Sequence, residues 1–375
     1  MRAVGSQPCF VRYRGLMASK APRVNQRRTT NNPVLDAKIS ELLAAIHPGT
    51  DDRDHRLDHT DQLREILVSA TLMAVDTAHE RADRLDLKIA NAALQEMRRS
   101  YLMLGPHRGI RKITIFGSAR TAPDDPLYDL TRRTAAEFAV QDWMVITGAG
   151  PGIMAAGLEG AGRQHALGVS IRLPFESQAN EFVHNDNLVD MRYFFTRKLA
   201  LMRESDGFVV MPGGFGTLDE TFELLTLIQT GKATPVPIVM LGIGHGYWTA
   251  WDKFVDKVVE EGYASDGDKR LYTVTNDVTT AVETIIGFYR NYHSIRWVGD
   301  RLVMRMQRLP STEQLAALSA MFEPYTTDGL GISITGPLRQ EVDEDDHLAL
   351  SRIVVNLNRR QPSRLRLLID EVNRW

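Results

Sequence analysis

A glycine-rich stretch near the middle of the chain has residue types and a spacing suited to holding an anion. Residues 212–220 read Pro-Gly-Gly-Phe-Gly-Thr-Leu-Asp-Glu and follow the apolar run of residues 207–211. This pattern predicts a buried strand that ends in a bent loop and opens a helix. Glycines let backbone N–H groups approach a phosphate closely, and the helix start adds the positive end of its dipole. The predicted phosphate cradle is formed by Gly213, Gly214, Gly216 and Thr217.

Glu220 lies about one turn into the predicted helix. A phosphate held at the helix start would therefore bring its sugar within reach of a carboxylate. A carboxylate in that place can stabilise positive charge that develops on a sugar carbon during bond cleavage. An ordinary first-turn acid that complements the helix dipole would give the same residue at the same position.

A second glycine loop precedes the first in the sequence. Residues 147–154 read Thr-Gly-Ala-Gly-Pro-Gly-Ile-Met, and Pro151 favours a helix start immediately afterwards. Ser118, which follows the first predicted strand, either donates its hydroxyl group to a ligand or caps the turn. The glycines of the second loop either contact a ligand or only form a tight turn: Gly148, Gly150 and Gly152.

The elements that would position these loops alternate between strand and helix. Strands are predicted at 112–116, 143–147, 167–172, 207–211 and 236–241, with helices at 127–140, 152–165, 195–204, 217–230 and 248–262. Continuously apolar strands are typical of a parallel sheet that is covered on both faces. The chain is therefore predicted to have an α/β fold with a doubly wound parallel sheet, which binds ligands at the carboxyl ends of its strands.

Further segments flank this predicted domain, which we place at residues 109–292. Apolar residues at helical spacing predict a helical N-terminal extension at 33–108, after a basic arm at 1–32 that is expected to be disordered. Within that arm, Met17 is an alternative start of the protein. Residues 293–375 predict a small α+β module. Its acidic run at 341–346 is predicted to be a solvated loop and not a metal site.

Composition excludes several classes of function. The formal net charge of −2 disfavours a nucleic-acid binder, and apolar runs no longer than a strand disfavour a membrane span. Cys9 is the single cysteine, which excludes an intrachain disulfide framework and is typical of a reducing cytosol, so a cytoplasmic location is predicted. The histidines lack paired ligand spacing, and no metal or other cofactor is predicted.

Four stretches resemble the LOG family, the nucleoside 5'-monophosphate phosphoribohydrolases long mislabelled as lysine decarboxylases. Residues 212–220 resemble its PGGxGTxxE signature, and residues 192–198, Arg-Tyr-Phe-Phe-Thr-Arg-Lys, are similar to its helix with an Arg-Lys pair. Residues 116–120 and 147–154 are similar to the two earlier loops of the family. The resemblance covers roughly residues 111–291 and is greatest to the long bacterial members.

The resemblance implies a Rossmann-like enzyme that cleaves the N-glycosidic bond of a purine nucleoside 5'-monophosphate. The substrate would be AMP or a cytokinin riboside 5'-monophosphate, and the products the free base and ribose 5-phosphate. Arg197 and Glu220 would be catalytic, with Lys198 as electrostatic support, although an arginine on a helix often forms only a surface ion pair. Family membership also implies a homodimer or a higher homo-oligomer.

One position departs from the family, and two other functions compete. Members with this second loop usually carry Glu after the Ile-Met, where this chain has Ala155, and Glu159 lies one turn onward. A nucleotide or molybdenum-cofactor carrier of the same fold would bind without hydrolysis, and it would not need the pair of Arg197 and Glu220. A lysine decarboxylase would need a lysine Schiff base with pyridoxal phosphate, but the chain contains no His-Lys dipeptide.

Overall fold

The computed structural model describes residues 29–46, 56–79, 83–173, 180–244, 246–359 and 362–375. Cys9, Met17, His245 and the basic arm up to residue 28 lie outside these ranges. The described residues divide into two compact units, one spanning 96–342 and 347–375, the other holding those up to 95 together with 343–346. In the described ranges, no helix combines the length and the apolar character needed to cross a bilayer.

The N-terminal part is helical, as its apolar spacing predicts. Its helices are α1 (Pro33–Ile46), α2 (Arg56–Ala78) and α3 (Arg84–Leu104). The side chain of Asn32 caps α1 by accepting hydrogen bonds from the backbone N–H groups of Val34 and Leu35, at 3.0 and 3.4 Å. Between α1 and α2, the buried side chains are Ile39, Leu43 and Val68.

The central domain is built on seven parallel strands and six helices. The strands are β1 (Lys112–Phe116), β2 (Met144–Thr147), β3 (Ala166–Ile171), β4 (Leu188–Met191), β5 (Gly207–Val210), β6 (Ile238–Leu241) and β7 (Thr273–Thr275). The helices are α4 (Pro126–Val140), α5 (Ile153–Ala161), α6 (Phe194–Glu204), α7 (Phe215–Gln229), α8 (Gly246–Glu260) and α9 (Val278–Gly287). In the sheet the strands lie in the order β4-β3-β2-β1-β5-β6-β7, which confirms the predicted doubly wound sheet.

Alternate residues of the central strands point into two separate apolar cores, one on each face of the sheet. Ile113, Ile115 and Val209 pack with residues of α4, α5 and α9 on one face. Phe208 and Val210 pack with residues of α6, α7 and α8 on the other. Burial on both faces is the reason why these strands are continuously apolar.

The direction of strand addition reverses between β1 and β5. Strands β2, β3 and β4 are added on one side of β1, and β5, β6 and β7 on the other. The loops after β1 and β5 both begin at this point. A hydrogen bond of 3.3 Å from the backbone N–H of Ser118 to the carbonyl oxygen of Pro212 joins the two loops. Doubly wound proteins bind ligands at such a reversal, outside the carboxyl ends of the strands.

The C-terminal residues form a smaller antiparallel sheet covered by helices. Its strands are β8 (Tyr292–Val298), β9 (Arg301–Met306), β10 (Ile332–Ile334) and β11 (Ser351–Val355), in the order β10-β11-β9-β8. The helices are α10 (Thr312–Phe322), α11 (Arg339–Asp343) and α12 (Pro362–Val372). This sheet confirms the small α+β module at the end of the chain.

The acidic run at 341–346 corrects one prediction. Glu341 belongs to α11 and is fully buried, because its carboxylate contacts the guanidinium groups of Arg305 at 2.7 Å and Arg352 at 3.2 Å. The run is therefore not a fully solvated loop. In the described residues, no cluster of three or more His, Cys, Asp or Glu side chains could hold a metal ion.

Candidate functional site

The predicted phosphate cradle lies at the start of α7, at the carboxyl end of β5. Gly214 is the N-cap residue, and no side chain among the described residues caps this helix end. The first N–H groups of a helix have no partner within the helix, so they are free to meet an anion. Gly213 lies so close to Thr217 that a Cβ atom on it would be 2.2 Å from Thr217 Oγ1, whereas Gly216 faces open space.

The second glycine loop, residues 148–152, lies at the carboxyl end of β2, which is separated from β5 by β1. Gly152 has a φ of +66°, and a Cβ atom there would be 2.4 Å from the carbonyl oxygen of Ser118. The buried Gly150 accepts a hydrogen bond of 3.0 Å from Nδ2 of Asn180. A Cβ atom on Gly148 would be 2.1 Å from Nη2 of Arg197. Glycine is therefore needed at position 152, whether or not a ligand is bound, whereas a larger residue at position 148 would displace the Arg197 guanidinium group.

Ser118 joins the two loops through its backbone. Its carbonyl oxygen accepts a hydrogen bond of 3.0 Å from the N–H of Ile153, the first residue of α5. Its side-chain oxygen accepts a bond of 3.1 Å from the N–H of Arg120. The hydroxyl group thus caps the turn, as one of the two sequence interpretations holds, and its proton remains available to a ligand.

The side chain of Arg197 crosses from α6 to the second glycine loop. Its Nε donates a hydrogen bond of 3.0 Å to the carbonyl oxygen of Val169 on β3, and its Nη2 lies against Gly148. The guanidinium group is therefore held at the carboxyl ends of the strands. An ion pair on an outer helix surface, the alternative interpretation, does not describe this position.

Glu220 lies in α7 and is only 5% exposed. Burial raises the pKa of its carboxyl group above the ordinary value, while the positive charges of Arg197 and Lys198 act in the opposite direction. The structure therefore brings Glu220 and Arg197 into one electrostatic environment. A buried carboxylate beside a fixed cation, next to an uncapped helix start, is an arrangement that can bind a phosphosugar and stabilise positive charge on it.

Lys198 is placed differently from Arg197. Its Nζ lies 2.6 Å from a carboxylate oxygen of Asp219 and 2.9 Å from one of Glu223, both on α7. Burial alone would lower the pKa of Lys198, but these two hydrogen bonds outweigh it and raise the pKa. Two carboxylates thus hold the ammonium group, and its effect on the site is electrostatic, not a direct contact with the cradle glycines.

The departure at Ala155 is accommodated by local packing. Ala155 is buried beside Tyr128 and Phe182. One turn onward, Glu159 accepts a hydrogen bond of 2.7 Å from the hydroxyl group of Tyr128, and burial together with this bond raises the pKa of Tyr128 to about 12. The carboxylate of Glu159, on α5, is therefore held by a side chain of α4.

Sequence reasoning missed two residues that contact the glycine loops. The backbone N–H of Asn180 donates a hydrogen bond of 2.9 Å to the carbonyl oxygen of Ala149, and the hydroxyl group of Tyr247 donates one of 2.7 Å to that of Gly213. Neither residue belongs to a motif, so no signal in the sequence points to them. Phe194 and Phe195, which precede Arg197, are 50% and 54% exposed, and Phe195 stacks on Tyr193 at 5.6 Å between ring centroids.

Comparisons with known proteins point to one family. Residues 152–285 match the model of a family described as "Possible lysine decarboxylase". Two curated relatives from Arabidopsis thaliana are the cytokinin riboside 5'-monophosphate phosphoribohydrolases LOG2 and LOG7. The chain is 25% identical to LOG2 over 43% of its own length and 76% of that protein. For LOG7 the identity is 29%, over 42% of this chain and 71% of that protein.

Solved structures give a weaker likeness. One is described as the molybdenum cofactor carrier protein from Chlamydomonas reinhardtii, with 19% identity, a TM-score of 0.34, and coverage of 47% of this chain and 98% of that chain. At this level the likeness carries no argument about activity. The family match and the curated relatives support membership of the LOG family, and residues 152–285 carry the match.

Proposed function

We propose that the chain is a hydrolase that cleaves the N-glycosidic bond of a purine nucleoside 5'-monophosphate, AMP or a cytokinin riboside 5'-monophosphate. The observation that carries the proposal is the placement of Glu220. Glu220 is 5% exposed, its carboxyl group is within electrostatic range of the guanidinium of Arg197, and it lies in the first turns of a helix whose start has no side-chain cap among the described residues.

The phosphate would bind at the start of α7, where the first N–H groups have no partner within the helix and the helix dipole is positive. The sugar of a nucleotide held in this way lies toward Glu220. Loss of the base leaves an oxocarbenium-like centre at C1', and the buried carboxylate would stabilise that charge. Water then adds to C1' and gives up a proton, while the departing base takes one up, which leaves the free base and ribose 5-phosphate.

Arg197 would act on the departing base or on the phosphate. Its guanidinium group is fixed by Val169 and by the close approach to Gly148, so it would not need to reorganise during the reaction. The names of the curated relatives support this substrate class, because those proteins are phosphoribohydrolases of cytokinin riboside 5'-monophosphates. We further propose a cytoplasmic location, and residues 109–292 as the catalytic domain.

The proposal is tested by incubating the purified chain with a panel of nucleoside monophosphates and measuring free base and ribose 5-phosphate by chromatography. We expect release of base from AMP or from an N6-substituted relative of it. Adenosine should be a far poorer substrate, because it lacks the group that the α7 start binds. Equal turnover of AMP and adenosine would contradict the phosphate cradle.

A carrier function is the alternative outcome of the same experiment. A carrier would bind a nucleotide tightly and release no base from any monophosphate in the panel. That result would replace the hydrolase proposal. Among the described residues, the buried Glu220 and the fixed Arg197 favour the hydrolase, since a carrier that forms no oxocarbenium-like state has no use for this pair.

A further inference from the structure

A buried glutamate outside the family motifs contacts the start of the helix that carries Arg197. Glu96 lies on α3 and is 2% exposed. Its carboxylate accepts hydrogen bonds from the backbone N–H of Arg192 at 2.8 Å, from that of Tyr193 at 3.4 Å, and from Oγ1 of Thr196 at 2.6 Å. A buried carboxylate is tolerated when it is well hydrogen-bonded, and three donors converge on this one.

The start of α6 provides no cap of its own. Tyr193 is the N-cap residue and makes no capping hydrogen bond through its side chain, and the first turn of α6 contains no acidic residue, among the residues that the structure describes. Glu96 supplies both missing features from another helix. Its oxygens satisfy N–H groups at the helix start, and its negative charge faces the positive end of the helix dipole.

The contact lies next to the active side chain in the sequence. Thr196, which donates to Glu96, immediately precedes Arg197, and the N–H of Arg197 donates to the carbonyl oxygen of Tyr193 at 3.3 Å. The first turn of α6 is therefore held between Glu96 on one side and the bond from Arg197 to Val169 on the other. A shift of this turn would move the guanidinium group away from Gly148.

We infer that Glu96 is a positioning residue for the reaction, acting through Arg197. The inference rests on the proposed hydrolase function. Glu96 fixes the first turn of α6, and this sets the place of the guanidinium group beside the second glycine loop and Glu220. Displacement of a catalytic group by about 1 Å can cost roughly a hundred-fold in rate, so loss of the anchor should be visible in turnover.

The test is a double-mutant cycle in the full chain with Glu96→Ala and Arg197→Ala. We expect Glu96→Ala to lower kcat with AMP by about ten- to a hundred-fold in the parent and to have no further effect when Arg197 is already Ala. Glu96→Gln keeps one carbonyl acceptor and should recover part of the rate. A residue that only stabilises the fold would lower the rate by the same factor in both backgrounds.

Hydrogen exchange at the start of α6 gives a readout independent of turnover. The amides of Arg192 and Tyr193 should exchange faster in Glu96→Ala. The matched control is Ser100→Ala, since Ser100 is 1% exposed, lies one turn along α3, and donates to Met97 within its own helix. This control should leave the α6 amides and the kcat unchanged.

Additive effects in the cycle, or unchanged exchange at residues 192–193 in Glu96→Ala, would overturn the inference. If Glu96→Ala does not fold, the same comparison is made with Glu96→Gln, which retains the size of the side chain. A parent that binds AMP but releases no base overturns the proposed function instead. The exchange experiment then still decides whether Glu96 holds the helix of Arg197.

Discussion

At the scale of single residues, the proposed reaction depends on the ionised form of one buried carboxyl group, that of Glu220. Burial favours the protonated form of Glu220, and Arg197 is the largest influence in the opposite direction. Because burial outweighs the effect of Arg197, the ionised carboxylate has a raised free energy in the protein without a ligand. Positive charge on a ribosyl group would relieve that cost, which is how an enclosed carboxylate can favour a transition state over the ground state.

Replacing Glu220 by Gln tests this directly. The substitution keeps the size and helix position of the side chain and removes its negative charge. We expect the rate of base release from AMP to fall by about a hundred- to a thousand-fold, with the affinity for AMP within a few-fold of the parent. The measurement is single-turnover base release alongside calorimetric binding.

The matched control is Glu223→Gln, one turn further along α7, where the carboxylate pairs with Lys198 and is 35% exposed. It should change the rate by only a few-fold. If Glu220→Gln releases base as fast as the parent, Glu220 is only an acid of the helix start, and the site assignment is wrong.

The raised pKa of Glu220 also predicts a change in stability with pH. Because the folded protein binds this proton more tightly than the unfolded chain, the contribution of the group is fully present below the unfolded pKa and is lost as pH rises through the folded pKa. Gln does not ionise and avoids the loss. Glu220→Gln should therefore melt at a higher temperature than the parent at neutral pH, with the difference shrinking toward about pH 4. A lower melting temperature at neutral pH would contradict the assigned environment.

At the scale of elements, the start of α7 has two glycines with different surroundings. A Cβ atom on Gly213 would be 2.2 Å from Oγ1 and 2.7 Å from Cβ of Thr217, whereas a Cβ atom on Gly216 would meet no atom within 4 Å. Gly213→Ala should distort the loop, with a lower melting temperature and weaker binding of AMP. Gly216→Ala should fold at least as well as the parent, since Ala favours a helix over Gly by about 1 kcal/mol.

Measurements of binding distinguish a steric effect of the added methyl group from a loss of phosphate binding. If a phosphate meets the backbone at the start of α7, Gly216→Ala should weaken the binding of AMP but not that of adenosine. Gly336→Ala is the control, because it lies in the C-terminal module and its Cβ atom would also face open space. Equal AMP affinity in Gly216→Ala and the parent would show that the phosphate does not approach this residue.

The same elements show how far the sequence alone could predict the structure. Strands such as Gly207–Val210 are buried on both faces, so their composition marks them clearly. The edge strands were missed: Leu188–Met191 alternates in burial, and Thr273–Thr275 is short and only partly covered. Helix α5 was predicted too long, because Gly162, with a φ of +71°, follows its end at Ala161.

The candidate site was predictable where its residues are close in sequence. The glycine loops and Glu220 carry local patterns, and the sheet brings these loops together as its topology requires. The partners of Arg197 and of its helix are distant in sequence, since Val169 is 28 residues away and Glu96 is 100 residues from Thr196. Such contacts depend on which strand and helix become neighbours, and no spacing rule within one segment reports that.

At the scale of the whole molecule, Tyr289, which lies just before the C-terminal module, packs against the apolar cores of both the central domain and the module. The hydroxyl group of Tyr289 donates a hydrogen bond of 2.7 Å to the carbonyl oxygen of Asp206, just before β5. The guanidinium group of Arg111, just before β1, lies 3.8 Å from the centroid of the Tyr289 ring. These contacts are at the amino ends of the strands, the opposite end from the candidate site. This link between the module and the sheet therefore lies away from the candidate site.

Assembly into a homodimer or a higher homo-oligomer remains a prediction, and an exposed aromatic pair indicates where copies would meet. Phe222 on α7 and Phe254 on α8 are 41% and 53% exposed, with ring centroids 6.1 Å apart. Contiguous apolar groups on a surface often mark an interface between chains. Because the pair lies on the helices that flank the site, we expect copies to associate through α7 and α8.

Light scattering on the full chain would measure the predicted assembly. The parent should have at least twice the mass of one chain, and Phe254→Glu should shift it toward the mass of a monomer, because a charge at an apolar contact is costly to desolvate. Val140→Glu is the matched control, since Val140 is 75% exposed on α4 and lies away from this pair. A parent that is monomeric at all concentrations would contradict the assembly. An oligomer unaffected by Phe254→Glu would instead place the interface on another face, and the aromatic pair would then need a different partner.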